Sequence, residues 1–237
     1  KRRNMGQAIC FDGAFHGRTL GALSLNRSKT VHRKWYPTVP NINELPFCDC
    51  KNTCTCGWTI VGRDGKKKNL LQERLETTLN KNEIAYIIVE PVQGEGGYRI
   101  GNKDFIKELY ELAKKNNIPI ISDEVQAGMG RTGKWWSIEH YKQKPDVIAS
   151  AKALRVGATI AKKEFFPKES GRISSTWGEG NLIASAVGYK TLEIIQKENL
   201  LENARLTGKY LVHQLERLEN KYHFISNARG IGLLDAI

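Results

Sequence analysis

The chain has 237 residues, 40% of them hydrophobic and 26% charged, which is enough to bury the core of one or two globular domains. Its formal net charge of +12 favours anionic partners such as nucleic acid, phosphate-bearing cofactors or carboxylate substrates. No apolar run approaches the ~20 residues of a membrane span, so we expect a cytoplasmic protein without a membrane partner.

Short apolar runs alternate with segments of helical periodicity along most of the chain. The runs are typical of buried strands and the periodic segments of amphipathic helices, with a loop-rich stretch from residue 12 to about residue 68. This alternation indicates an α/β fold with a mostly parallel sheet and helices on both faces. The predicted strands are 7–11, 85–91, 118–122, 146–151 and 156–161, and the predicted helices are 69–82, 104–117, 182–199 and 200–222.

The last part of the chain has a different pattern from the first. Two long helical segments are followed by HFISNARGIGLLDAI, which resembles the opening of a small α+β domain. We therefore predict one domain over residues 1–198 and the start of a second over residues 199–237. Both ends of the chain lie within strand-like patterns, and we expect an internal part of a longer protein.

Four of the five cysteines lie in the segment CDCKNTCTC, at Cys48, Cys50, Cys54 and Cys56. The odd total argues against a disulfide scaffold. The C-x-C-x3-C-x-C spacing is compatible with a structural site for zinc or another thiophilic metal, but cysteine clusters this tight also occur as plain loop residues. We assign no metal to the chain on this pattern.

Polar and charged groups stand at the ends of the predicted strands. In a parallel sheet these ends share one edge, where ligands bind. A buried lysine there would be a nucleophile for carbonyl carbons, and an aspartate could hold a pyridinium nitrogen protonated. Taken singly, the same residues are compatible with a helix cap, a turn or a solvated cation. The groups are Phe15, His16, Arg18, Glu90, Asp123, Gln126 and Lys152.

Six segments together resemble the class III pyridoxal-phosphate-dependent aminotransferases, and most of all their 4-aminobutyrate branch. These segments are GAFHGRTLGALS, IIVEPVQGEGGY, IISDEVQAGMGRTGKWW, PDVIASAKAL, SSTWGEGN and ARGIGL, in the order of the family. The resemblance implies the large domain of fold-type I transferases, with pyridoxal 5′-phosphate as the cofactor.

The resemblance also implies roles for individual residues toward the cofactor. Lys152 would hold it covalently and later carry a proton, while Asp123 would pair with its ring nitrogen. The remaining cofactor contacts would come from Gln126 near the phenolic oxygen, Phe15 and Val125 on the two ring faces, His16, and Thr176 at the phosphate of the neighbouring subunit.

Substrate binding is implied at two further positions. Arg18 would bind a substrate carboxylate, and Glu90 would act as a switch between substrates. The implied reaction is ping-pong transfer of an amino group from an ω-amino acid such as 4-aminobutyrate to 2-oxoglutarate, in a homodimer with shared active sites. Lysine 6-aminotransferase and acetylornithine or ornithine aminotransferase are the alternatives.

A rival hypothesis of another class is a basic, non-enzymatic binding module that is stapled by a metal at the cysteines. It would bind nucleic acid in a salt-dependent way and would need no cofactor. The combination of Lys152, Asp123 and Gln126 argues against it, because a binding module needs none of these residues. We therefore expect small-molecule substrates and no nucleic acid.

Overall fold

The structure is a computed structural model that describes residues 6–169, 171–172 and 181–237. These residues form two compact units. The first contains the described residues up to Ser122 together with His140–Pro145, and the second contains those of Asp123–Glu139 and Asp146–Ile237. Our domain boundary near residue 198 stays a prediction.

The first unit is built around parallel strands. Strands β1, β2, β5 and β8 lie side by side in the order β2-β1-β5-β8, and each neighbouring pair is parallel. The expected α/β architecture with a mostly parallel sheet is thereby confirmed. The elements are β1 (Gln7–Phe11), α1 (Leu20–Leu25), β2 (Ile42–Leu45), β3 (Thr59–Val61), β4 (Lys67–Asn69), α2 (Leu70–Thr77), β5 (Ile84–Val89), β6 (Val92–Gln93), β7 (Arg99–Ile100), α3 (Lys103–Lys115) and β8 (Ile120–Asp123).

The stretch that we predicted as loop contains more regular structure than expected. It holds α1, the parallel strand β2 and the antiparallel pair β3–β4. Strand β2 was missed because it is short and carries the polar residues Asn43 and Glu44, and only Leu45 of its four residues is buried. Its strand conformation depends on pairing with β1, which local periodicity does not reveal.

Helix α3 shows how the sequence defines an element of this unit. The Asn102 side chain caps it by accepting the N–H groups of Asp104 and Phe105, an arrangement that satisfies donors left open at a helix start. Lysines occupy its last turn, where cations complement the helix dipole. The periodicity predicts an apolar face of Phe105, Ile106, Leu109, Leu112 and Ala113, and all of these except the half-buried Leu112 are buried, together with Tyr110.

Phe105 is the centre of an aromatic cluster. Its ring makes edge-to-face contacts with Phe11, Phe47 and Trp58 at centroid distances of 5.5, 5.3 and 4.7 Å. Four large rings thus join β1, the segment after β2, the segment before β3 and helix α3. Such pairs stabilise a core beyond the area that they bury.

Replacing Phe105 by alanine is expected to lower the free energy of unfolding by about 3–5 kcal/mol, because a fully buried ring is lost and its three partners cannot refill the space. Urea unfolding followed by fluorescence measures this loss. The control is Lys107→Ala on the exposed face of the same helix, expected to change stability by less than about 0.5 kcal/mol. Equal effects of the two substitutions would contradict the proposed core.

The second unit combines an antiparallel strand pair with two long helices. We had placed β10 in a parallel sheet, but it pairs antiparallel with β9. The short connection 151–157 explains the difference, since a parallel return needs a crossover of a dozen residues or more. The elements are β9 (Val147–Ser150), β10 (Ala158–Ala161), α4 (Leu182–Lys197), α5 (Leu200–Lys221), β11 (Arg229–Ile231) and β12 (Leu234–Ala236).

The hairpin β11–β12 approaches helix α5 at two glycines. A Cβ atom on Gly208 would lie 1.7 Å from the backbone oxygen of Gly232, so only glycine permits this contact. Gly232 itself has φ +60°, in the left-handed region that glycine adopts without strain. The ARGIGL segment therefore closes the hairpin against the helix.

Helix α5 has 22 residues, a length sufficient to cross a bilayer, but seven of them are charged. In the part of the chain that the structure describes, no helix combines the length and the apolar character that a membrane span requires. A cytoplasmic location stays a prediction.

Candidate active site

Glu90 and Phe15 come together at the carboxyl ends of β5 and β1. The two strands are parallel neighbours, so the segments that follow them leave the sheet at the same edge. Glu90 is buried, and its two carboxylate oxygens accept the backbone N–H groups of Phe15 at 2.9 Å and Gly94 at 3.1 Å. These bonds hold a negative charge in a fixed place beside the turn after β1.

Gln93 locks the glycine-rich loop after Glu90 onto the turn after β1. Its Nε2 donates to the backbone oxygen of Asp12 at 2.6 Å. A Cβ atom on Gly13 would lie 2.5 Å from Gln93 Oε1, and one on Gly96 would lie 2.6 Å from the oxygen of Gly13. Sequence reasoning assigned no role to Gln93. A polar residue beside a glycine-rich turn can indicate a hydrogen bond that holds two loops together.

Asn26 positions the loop that carries His16 and Arg18. The buried Asn26 accepts the His16 backbone N–H at 2.6 Å and donates to the oxygen of Gly17 at 2.8 Å. Arg18 is exposed, and its guanidinium carbon lies 5.5 Å from the centroid of the Phe15 ring. The loop therefore presents a cation held against an aromatic face, an arrangement that can bind an anionic group.

Gln126 and Lys152 come together in the second unit, and Asp123 lies three residues before Gln126. Asp123 is buried at 6% exposure, and one of its oxygens accepts the Val125 backbone N–H at 3.0 Å. Lys152 Nζ donates to Gln126 Oε1 at 2.5 Å. A backbone hydrogen bond from Glu124 to the oxygen of Ala149, at 2.9 Å, ties the segment after β8 to β9 and brings the two side chains within reach.

Lys152 is exposed, whereas we expected a buried lysine. Strand β9 ends at Ser150, so Lys152 lies in the turn that follows the strand. Its amine is therefore oriented by the hydrogen bond to the Gln126 amide oxygen, and burial of the side chain does not contribute.

Glu124 is an anchor of this site that sequence reasoning missed. It is fully buried, and its carboxylate accepts the N–H and hydroxyl of Ser137 at 2.8 Å and the N–H of Ile138 at 2.9 Å. The signal in the sequence was the position of Glu124, which directly follows a buried strand and is adjacent to Asp123. Glu124 fixes the backbone on which Asp123 and Gln126 are presented.

Each unit thus carries one part of the predicted set. The first has a fixed buried carboxylate and an exposed guanidinium, and the second has a buried carboxylate and a primary amine held by an amide oxygen. A primary amine is a nucleophile for carbonyl carbons, and a buried carboxylate stabilises a cationic ring nitrogen. Thr176, which we expected at a cofactor phosphate, lies outside the described residues.

The known proteins of similar sequence include enzymes whose names refer to reactions of amino acids. An acetylornithine aminotransferase from Methanocaldococcus jannaschii is 35% identical over 239 residues, which cover 98% of this chain and 54% of that protein. An alanine/serine racemase from Pyrococcus horikoshii is 34% identical over 238 residues, covering 95% of this chain and 49% of that protein. The chain therefore spans about half the length of the curated relatives that it matches.

A solved structure of similar fold is the lysine aminotransferase from M. tuberculosis. It is 30% identical, with a TM-score of 0.80, and the similarity covers 97% of this chain and 53% of that one. The expected fold-type I architecture is confirmed by this agreement.

The sequence model of the class III aminotransferases matches residues 1–237. Pyridoxal 5′-phosphate, the cofactor that we expected, is the cofactor of this family. The match over the full chain, the shared fold and the relatives agree, and the chain belongs to the class III aminotransferase family.

Proposed function

We propose that the protein transfers the amino group of an ornithine-like or lysine-like amino acid to a 2-oxo acid such as 2-oxoglutarate, by a ping-pong mechanism. The contact between Lys152 Nζ and Gln126 Oε1, three residues beyond the buried Asp123, carries this proposal. It places an oriented amine in contact with the short segment that carries a carboxylate shielded from solvent.

The residues present fit the cofactor of the family. When bound, pyridoxal phosphate supplies a carbonyl carbon that takes up an amino group and a ring that accepts electrons from the substrate carbon. Asp123 is a suitable partner for a protonated ring nitrogen because it is buried and anionic. Lys152 would hold the cofactor covalently, and Gln126 would orient the Lys152 amine.

Proton transfer would fall to the same lysine. A primary amine that is already directed by a hydrogen bond can take a proton from the substrate carbon and return it elsewhere. Phe15, His16 and Val125 stay predicted cofactor contacts.

Arg18 and Glu90 would recognise the substrate. The exposed guanidinium of Arg18 suits a carboxylate, which it can bind through two parallel hydrogen bonds. Glu90 carries a fixed negative charge that would attract an amine or a second cation. A substrate with a carboxylate at one end and an amine at the other matches this pair of charges.

The choice among donors rests on the relatives. Our expectation of 4-aminobutyrate finds no support in their names, whereas acetylornithine and lysine were among our alternatives. With the full-length protein, pyridoxal phosphate and 2-oxoglutarate, we expect kcat/KM for acetylornithine, ornithine or lysine to exceed that for 4-aminobutyrate by about tenfold or more. The reason is that a binding pocket discriminates between substrates that differ by one methylene group by about 10–200-fold.

Glutamate formation measures this panel, with Lys152→Ala as the blank for each donor. A higher kcat/KM for 4-aminobutyrate than for the other three donors would restore our first choice. Because of the racemase relative, alanine and serine belong in the panel. Their racemisation without any turnover of the four amino donors would contradict amino transfer.

We also propose a homodimer with shared active sites. Helix α4 exposes large apolar side chains, among them Leu182 at 85%, Ile183 at 78% and Tyr189 at 66%. Contiguous exposed apolar groups mark interaction surfaces. Sedimentation of the full-length protein tests the proposal, and a catalytically active monomer would contradict it.

A further inference from the structure

Four thiols converge in the loop between β2 and β3, in the first unit. Their sulfur atoms all lie within 4.8 Å of one another, with Cys48 Sγ 3.9 Å from Cys54 Sγ and Cys54 Sγ 3.5 Å from Cys56 Sγ. The fourth thiol is that of Cys50. All four are free thiols.

The spacing of these sulfurs matches a single tetrahedral metal site. A tetrahedron with metal–sulfur bonds of about 2.3 Å has sulfur–sulfur edges of about 3.8 Å. The Cys48–Cys54 and Cys54–Cys56 sulfur separations of 3.9 and 3.5 Å lie on either side of that length. Disulfide formation would instead require each pair to close to about 2.05 Å.

The backbone of the loop is held independently of the thiols. Asn102, the N-cap of α3, donates its N–H to the oxygen of Cys48 and its Nδ2 to the oxygen of Cys50, both at 2.7 Å. Arg99 forms two bonds to the Asp49 carboxylate, at 2.8 and 3.1 Å. The first Cys-x-Cys pair is therefore fixed against the start of helix α3.

Backbone donors also point at two of the sulfurs. The N–H of Thr55 lies 3.5 Å from Cys50 Sγ, and the N–H of Thr59 lies 3.3 Å from Cys54 Sγ. A sulfur that accepts such a bond is stabilised as a thiolate, the form that binds metals. Outer hydrogen bonds of this kind orient metal ligands and tune the site.

We propose that Cys48, Cys50, Cys54 and Cys56 bind one divalent thiophilic cation, with zinc as the ion, in a structural site. Four protein sulfurs complete a tetrahedron and leave no position for substrate, which is the arrangement of structural zinc. Binding replaces four S–H protons by the metal and releases them, with no change of oxidation state. The ion would join the loop after β2 to the segment that enters β3.

Metal content of the full-length protein, purified without chelator, tests the site. Mass spectrometry of the metals is expected to find about one zinc per chain, and the double variant Cys50→Ser/Cys54→Ser is expected to hold less than about a tenth of that, since tetrahedral sulfur sites depend on thiolate ligands. Cys10→Ala is the matched control. Cys10 lies in β1 outside the cluster, so its loss should leave the zinc in place.

A second measurement uses the unsubstituted protein and tests the site even if the double variant fails to fold. After removal of metal under reducing, anaerobic conditions, titration with Co²⁺ is expected to saturate at one ion per chain with thiolate-to-cobalt absorption in the near ultraviolet. The absence of that absorption with all thiols reduced would overturn the proposal, as would two disulfides in the purified protein. Iron in place of zinc would overturn the assignment of the ion. The same analysis on Lys152→Ala separates this site from the proposed catalytic function.

Discussion

Lys152→Ala is expected to abolish amino transfer while the protein keeps its fold. The substitution removes both the amine that would hold the cofactor and the group that would move the proton. Loss of a positioned acid–base group alone costs about 10²–10⁴-fold in rate, and loss of the attachment adds to this. Single-turnover and steady-state assays with the preferred donor measure the loss, and the visible absorbance of bound cofactor reports the attachment.

The control for this prediction is Lys162→Ala. Lys162 is an exposed lysine of the same unit that directly follows β10, and it belongs to no part of the proposed site. Its variant should keep wild-type activity and cofactor absorbance. An active Lys152→Ala protein with unchanged absorbance would show that another residue holds the cofactor.

Asp123→Asn is expected to have the second largest effect. The substitution keeps the shape of the side chain but removes the negative charge that would hold the ring nitrogen protonated. Breaking a buried charge pair costs about 3–5 kcal/mol, or roughly 10²–10⁴-fold in rate at 1.36 kcal/mol per factor of ten. The expected result is a fall of that size in kcat, with the cofactor still attached to Lys152.

Asp104→Asn serves as the control for Asp123, because Asp104 is an exposed carboxylate in the first turn of α3. Cofactor absorbance distinguishes a chemical effect from a failure to bind. An Asp123→Asn protein with wild-type kcat would contradict the assigned role. A loss of absorbance together with activity would assign Asp123 to cofactor binding alone.

The zinc proposal rests on the first unit alone, whereas the proposed catalytic lysine and Asp123 belong to the second unit. The cysteine loop contacts the start of α3 through Asn102, while the proposed catalytic lysine lies after β9 in the second unit. Arg99 is the residue that extends toward the turn after β1, since it contacts both Asp49 and Asp12, the latter at 3.2 Å. Loss of the ion should therefore affect stability more than the chemistry at Lys152.

Several elements could be predicted because their signals are local. The continuous apolar runs of β1, β5 and β8 and the one-sided face of α3 are properties of neighbouring residues. The DEVQ and SAKAL segments likewise carry Asp123 and Lys152 at the ends of such runs. Edge strands, by contrast, have weak signals, because half of an edge strand is polar and its conformation depends on a partner. This explains the missed strand β2, whereas the direction of β10 follows from its short connection to β9.

The sequence by itself determined which chemical groups stand at strand ends, and with them the family, because residue types and spacing are written in the chain. Only the tertiary structure decided which of these groups touch. The Lys152–Gln126 bond, the anchoring of Glu90 by Phe15 and Gly94, and the burial of Glu124 all depend on strand pairing and turn geometry. The same holds for the four sulfurs, since a Cys-x-Cys spacing is compatible with many loops, and contacts between distant residues bring the thiols together.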